Sequence, residues 1–516
     1  MASAAPVFQQ HTLGAMRNIL LTIGVTLGML MQVLDATIAN VALPHMQASL
    51  GATRETINWV LTTYILASAI AIPITGWLAD RVGRKPLFLW SVLAFTIASL
   101  LCAVAQNLTE MVIFRAIQGI AGAFLVPLAQ STLFDINPPE KHGRAMSLFG
   151  AGVMIGPILG PVLGGWLTDN YNWRWVFLIN LPIGALAALL MFRLMPAIPK
   201  VSRRFDLLGF ALLGLALAAL QLMLDRGAQL DWFSSWEIRI EAGLAIAGAW
   251  MFGVHMLTSR DPLFDRHMFQ DRNFATALLF MTMTGLMMFA GLALLPTMLQ
   301  GLFGYSVLQA GFLTAPRGVG TLISMLVVGR LVDRFDARLL VLAGLSLMTT
   351  SLWWMSGFSI GMDSRPIIVS GLIQGLALGL IFVPLNTIAF ATLETRFRTT
   401  AAALFNLTRS VGGSIGISIM TVLLARNLQV SHSDLAAHIT PYALPPVNPA
   451  IVQGAPQITD AALAMLDAEI NRQALMIAYI DDFHLMMIVS LCAIPLLLLI
   501  REARATSGGA RAAMSD

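Results

Sequence analysis

The chain has 516 residues, 57% of them hydrophobic and only 11% charged. A soluble domain carries roughly a quarter charged residues, so this balance, with a mean hydropathy of +0.77, excludes a soluble globular protein and implies an integral membrane protein. The formal net charge of +4 is no nucleic-acid signature, because the basic residues lie in short stretches between apolar runs, where they report topology.

The first apolar run, about 18–43, is longer than the roughly 7–15 residues of a signal-peptide core and reads as a retained first helix. A spanning helix needs about 20 mostly apolar residues. By that measure spans fall near 18–43, 56–79, 86–106, 109–131, 145–167, 175–195, 206–224, 238–258, 274–299, 310–331, 339–358, 366–390, 400–424 and 483–500. Fourteen spans, an even count, put both termini on one side. Alternation of the loops places 21 of the 31 basic residues on that side, here called the basic face, and 8 on the opposite face, Arg317 among them; Arg115 and Arg409 lie inside spans. Positive-inside bias then assigns the basic face and both termini to the cytoplasm.

Gly76-Trp-Leu-Ala-Asp80-Arg81-Val-Gly83-Arg84-Lys85 forms a short basic turn after span 2. Gly83 permits the tight turn, since glycine tolerates positive φ. Alone this reads equally as an ordinary basic loop. A degraded copy, Gly329-Arg-Leu-Val-Asp333-Arg334 to Arg338, follows span 10, with Asp336 where the first copy has glycine. A second echo links span 4 to span 12: Ile117-Gln-Gly-Ile-Ala with Val126-Pro-Leu, against Ile373-Gln-Gly-Leu-Ala with Val383-Pro-Leu. Both echoes are offset by eight spans, so two extra spans separate two six-helix halves in a parallel repeat with a site between them. The expected division is a tail 1–17, a first half 18–195, an inserted pair with its loops 196–273, a second half 274–500 and a tail 501–516. The segment 427–482 is the one sizeable loop, holding Pro441, Pro445, Pro446, Pro449 and Pro456; its latter part suits an amphipathic helix, and topology makes it periplasmic or extracellular.

Charges within spans are costly and therefore functional candidates. Asp35 in span 1 lies nine residues from Pro44, and Arg115 lies about six residues into span 4 from the same face. At 1.5 Å per residue these depths, roughly 13 and 9 Å, bring the two within reach. The pair is either a structural tie between spans 1 and 4 or a carboxylate that exchanges a proton as its exposure changes. Arg409 has no acidic residue at matching depth and suits a central cavity. In span 5, Gly156, Gly160 and Gly164 fall four apart and give a smooth face for close helix approach; Pro157 and Pro161 bend it. Met281, Met283, Met287, Met288 and Met298 crowd span 9 with Phe280 and Phe289, as core packing or as an adaptable apolar pocket. Cys102 and Cys492 sit in separate runs, and His255 and His484 are isolated, so no disulfide framework or metal-ligand spacing arises. No Walker loop is present, which removes ATP as the energy source, and no nucleophile–base constellation can be read.

Several stretches together resemble the fourteen-span drug:proton antiporters of the major facilitator superfamily, the EmrB/QacA group. They are Gln32-Val-Leu-Asp-Ala-Thr-Ile-Ala-Asn40-Val-Ala-Leu-Pro44, the Gly76–Lys85 turn, Arg115-Ala-Ile-Gln118-Gly119, the Gly150–Gly165 glycine motif, Trp173–Pro182 and Leu224–Ser235. The resemblance covers about 18–500. It implies an all-α fold of two six-helix halves plus two extra helices. It implies alternating-access export of hydrophobic or amphipathic drugs, driven by inward proton flow with no other cofactor. The motifs nominate Asp35, Asn40, Arg115, Gln118 and Arg409 for proton coupling or substrate contact. They nominate Gly76, Asp80, Arg81, Gly83, Arg84, Lys85, Asp333 and Arg334 as a conformational switch. The antiporter motif is Gly150, Gly156, Pro157, Gly160, Pro161, Gly164 and Gly165. Relatives of this kind work in the bacterial inner membrane with an EmrA-like periplasmic adaptor and a TolC-like outer-membrane channel. The alternatives are a facilitator for a native metabolite or siderophore, and a membrane-embedded enzyme, which the missing catalytic constellation disfavours.

Overall fold

The computed structural model describes residues 14–500 apart from 54–55, 139–140, 197–199, 201–203, 333 and 439–459. The described residues form helices and no strand, as hydrocarbon demands, because only internal hydrogen bonds can satisfy a spanning backbone there. Fourteen long helices occupy the fourteen predicted positions. They are α1 (Ala15–Ser49), α2 (Thr56–Val82), α3 (Arg84–Val104), α4 (Leu108–Ile136), α5 (His142–Asn170), α6 (Trp175–Leu194) and α7 (Leu207–Arg226). They continue as α8 (Trp236–Thr258), α9 (Arg272–Gly301), α10 (Val307–Leu331), α11 (Ala337–Met355), α12 (Arg365–Ala391), α13 (Arg398–Ala437) and α14 (Asp460–Leu496). Polar side chains begin many of them: Asn107 accepts from the Glu110 amide, Asp271 from those of Asn273 and Phe274, and Ser306 with Gln309 forms a capping box, each satisfying otherwise orphaned N–H groups.

Helix packing repeats with the expected offset of eight. In the first half α1 packs on α5 and α6, α2 on α4, and α3 on α4 and α6; in the second, α9 packs on α13 and α14, α10 on α12, and α11 on α12 and α14. The seams between the halves are also exchanged by the repeat: α5 meets α10, and α13 meets α2. The inserted α7 packs on both α2 and α13, with α8 outside it on α7. Thr62 of α2 hydrogen-bonds Asp225 of α7, and Ser418 of α13 donates to the Leu224 carbonyl at 3.2 Å. The inserted pair therefore touches both halves at one seam.

Two segments depart from the expected layout. The stretch 427–482 is mostly helix. α13 runs 40 residues to Ala437, and α14 starts at Asp460. At 1.5 Å per residue α13 is about 60 Å long, twice the hydrocarbon core, so its end and the start of α14 project together, joined by His432 to Asp467 at 3.0 Å. Hydropathy finds where a helix is apolar, and these alanine-rich ends are helical without being apolar. The five prolines of this segment lie outside the described residues. The second departure is Arg317, counted at the opposite face from the sequence. It stands ten residues inside α10 and is buried.

Candidate functional site

Asp35, Arg115 and Gln118 come together, fully buried, inside the first half. Arg115 donates through one Nη to Asp35 Oδ2 at 2.6 Å and to Gln118 Oε1 at 2.8 Å, and through Nε to the Val60 carbonyl at 3.0 Å. Gln118 Nε2 donates to Asp35 Oδ1 at 2.9 Å. Asn180 of α6 donates to the same oxygen at 2.9 Å and to Ser99 Oγ at 3.0 Å, and Ser99 donates on to the Phe177 carbonyl at 2.9 Å. The guanidinium lies 4.1 Å from the centroid of the Tyr64 ring. Five helices, α1, α2, α3, α4 and α6, thus meet at one carboxylate. Their approach is local sequence at work: a Cβ on Gly119 would sit 3.2 Å from the Tyr64 carbonyl carbon, so only glycine lets α4 lie this close to α2.

The arrangement favours a charged pair held by neutral amides. Breaking a buried pair by removing one partner costs about 3–5 kcal/mol. Three donors aim at the Asp35 oxygens; a proton there replaces an acceptor by a donor and breaks at least one of them. Asn180, Ser99 and Tyr64 escape a search for intramembrane charges because they carry none, although Asn180 lies in the Trp173–Pro182 stretch.

The other nominated residues lie elsewhere. Asn40 is exposed on α1, five residues from Asp35 and so on another helix face. Arg409 is on α13, buried, with Nε and one Nη lacking any hydrogen-bond partner. The glycine stripe of α5 faces α1 of its own half. A Cβ on Gly156 would lie 2.9 Å from the Val33 carbonyl carbon, on Gly160 2.8 Å from Thr37 Cβ, and on Gly164 2.9 Å from Ile38 Cγ1. Gly150 alone of the motif looks across, to Met325 of α10 and Phe382 of α12, while a Cβ on Gly165 meets nothing. The side chains of Pro157 and Pro161 lie outside the described residues. On α9, Phe280, Met281, Met287, Met288 and Met298 are core residues; Met283 and Phe289 are partly exposed.

The switch segment is nearly all helix: α2 runs through Val82, Gly83 turns at φ +101, and α3 starts at Arg84. In the second copy Asp336, φ −58, caps α11 by accepting from the Arg338 amide at 2.9 Å, so this turn needs no glycine. Asp333 is outside the described residues, and Arg334 and Arg81 are exposed. Gly76 presses on α13, where a Cβ would come 3.0 Å from Thr400 Cα; its counterpart Gly329 presses on α5, 2.7 Å from Ser147 Cβ. Arg84 is buried and pairs with Asp135 at the end of α4. Arg398 of the other half reaches the same carboxylate at 3.2 Å.

One turn deeper, three buried amides join the halves. Gln130 of α4 donates to Asn386 Oδ1 of α12 at 2.6 Å and accepts from Asn406 Nδ2 of α13 at 2.8 Å. Gln130 and Asn386 are 256 residues apart, the spacing of Ile117 and Ile373, and so are the contacting rings of Phe134 and Phe390. The contact lies on the pseudo-twofold relation between the halves. With Gly76–Thr400, Gly329–Ser147 and Arg398–Asp135, it closes the basic face. No cluster of three or more metal-ligating side chains occurs among the described residues.

Residues 25–425 match the family described as Major Facilitator Superfamily. The chain is 39% identical over 437 residues to the multidrug export protein EmrB of Escherichia coli strain K12, covering 84% of this chain and 85% of that protein. It is 37% identical over 445 residues to the EmrB of Haemophilus influenzae, covering 86% of this chain and 87% of that one. The solved proton:xylose symporter XylE shares the fold, with TM-score 0.60 at 14% identity, covering 96% of this chain and 98% of that one.

Proposed function

Because this chain belongs to the major facilitator superfamily, and is therefore a transporter and not an enzyme, we propose that it exports hydrophobic or amphipathic drugs in exchange for protons by alternating access. The observation that carries this reading is the buried Asp35–Arg115–Gln118–Asn180 network. A proton reaching Asp35 from the opposite face breaks donor contacts from α4 and α6 and frees those helices to repack; its release on the other side restores the network. The halves 18–195 and 274–500 rock about the seams, with the pair within 196–273 spanning one of them. The basic face, closed by the amide and ion-pair contacts, is the cytoplasmic one in this reading. The matching names support drug export, and in that setting an EmrA-like adaptor and a TolC-like channel carry the drug onward from a multi-pass inner-membrane protein with both termini inside.

The test is transport by the purified chain in proteoliposomes. A fluorescent drug should accumulate against its gradient only when a pH gradient of the right sign is imposed, and a protonophore should abolish it. Accumulation indifferent to the proton gradient would overturn the coupling.

A further inference from the structure

The two halves differ in how they neutralise buried charge. Tyr64 and Arg317 each lie twelve residues before the repeated glycine, Gly76 or Gly329; Arg115 and Gly371 each lie two residues before the repeated Ile-Gln-Gly. In the first half the guanidinium comes from α4, stacks on Tyr64 of α2 and meets Asp35. In the second half it comes instead from α10, as Arg317, whose Nη donates to the Met288 carbonyl at 3.2 Å beside Gly291 and Gly371. No acidic side chain answers it. Arg409 adds a second positive charge, again with no charged neighbour. Asp482 of α14 is the one buried carboxylate of this half among the described residues, and both its oxygens lack partners, so it answers neither guanidinium.

Arg409 stands three residues after Asn406, on the same face of α13, and Asn406 is one of the amides bridging the halves. The guanidinium therefore lies one turn deeper than the closed basic face, about 16 Å from the start of α13, on the side that looks toward the first half. It is 8% exposed, with two of its nitrogens buried and unpartnered. Its backbone is pinned, since a Cβ on Gly285 would come 3.1 Å from Arg409 Cα. A fixed, buried, uncompensated guanidinium is costly unless a counter-charge arrives during function.

We propose that Arg409 is the anchor of a subsite for the carboxylate of an anionic, aromatic or aliphatic amphiphile held between the halves. This names a substrate class for the transporter proposed above and rests on that reading. The planar fork can take a carboxylate through two nitrogens, and the partly exposed Met283 and Phe289 of the adjacent α9 offer adaptable apolar surface for the rest of the molecule. Arg317 strengthens the positive field of the same half.

The test uses full-length purified protein and three probes that share one ring system: naphthoate, naphthylmethanol and naphthylmethylammonium. Binding is measured without a pH gradient, so its outcome is separate from that of coupling. The carboxylate should bind at least about tenfold more tightly than the alcohol, the ammonium most weakly, and Arg409→Gln should erase that preference while leaving alcohol binding within about twofold. Equal affinity of the wild type for carboxylate and alcohol overturns the proposal, as does a preference that survives Arg409→Gln. If the glutamine variant fails to fold, Arg409→Lys keeps the charge without the fork; it should weaken carboxylate binding alone by about three- to tenfold, and an equal loss for all three probes contradicts the subsite.

Discussion

Asp35 accepts from three side chains on three residues, Arg115, Gln118 and Asn180, and each contributes differently. Asp35→Asn leaves Arg115 buried without a counter-charge, so stability should fall by about 3–5 kcal/mol, read as a lower unfolding temperature in detergent. The double variant Asp35→Asn with Arg115→Gln should recover much of that loss while still failing to couple, because two neutral amides can bond each other. Recovery of proton-driven transport in the double variant would show the pair to be a tie between helices only. The depths of Asp35 and Arg115 were enough to pair them from the sequence. Asn180 was not legible, since a neutral amide in an apolar span carries no mark of what it touches. Arg317 was misplaced for another reason: Pro316-Arg317 resembles the flank of a span, and only its register with Tyr64 puts it inside.

At the scale of the helix, the glycine stripe of α5 is a packing surface within one half. Leucine at Gly156 or Gly160 drives a side chain into the α1 backbone or Thr37, and the close approach carries the Thr37 Oγ1 to Gly156 carbonyl bond of 3.1 Å. Gly160→Leu should therefore cost more than about 3 kcal/mol, as overpacking at a backbone contact does, and reduce folded protein in the membrane. Gly165→Ala, with nothing near its Cβ, should be neutral within about 0.5 kcal/mol. Comparable yields of monodisperse Gly160→Leu and Gly165→Ala protein would contradict this assignment. From the spacing alone the stripe was visible and its partner was not: period four marks a smooth face, and which neighbour fills it depends on the bundle. The helical ends of α13 and α14 were hidden in the same way, because length and apolarity part company outside the bilayer.

For the whole molecule, fourteen helices and their eight-helix offset could be read from apolar runs and two short echoes, since each half repeats one packing scheme. What joins the halves could not, because Gln130, Asn386 and Asn406 are polar residues far apart in sequence that find each other only in the assembled bundle. These amides and the Arg84–Asp135–Arg398 cluster hold the basic face shut. Removing Gln130 and Asp135 together as alanines should weaken closure by about 1–3 kcal/mol and shift the balance of states about tenfold or more toward an open basic face. Spin labels at the exposed Arg81 and Arg396 positions should report a longer distance population. Asp80→Asn, beside Arg84, should shift the same balance more weakly and slow turnover. An unchanged distance distribution in both variants would leave these contacts without a role in gating.

The central claim is that Asp35 couples proton movement to drug movement and is dispensable for drug movement alone. One pair of assays on the same proteoliposomes separates the two. Drug exchange at equilibrium, with labelled drug outside and unlabelled drug inside, needs only the halves to cycle with substrate bound. Uphill export driven by a pH gradient needs the proton as well. Asp35→Asn should keep exchange within about threefold of wild type while uphill export falls by at least about a hundredfold, the scale on which loss of an essential proton-transfer group is felt. Uphill export that survives in Asp35→Asn at wild-type rate, with exchange intact, would contradict the account.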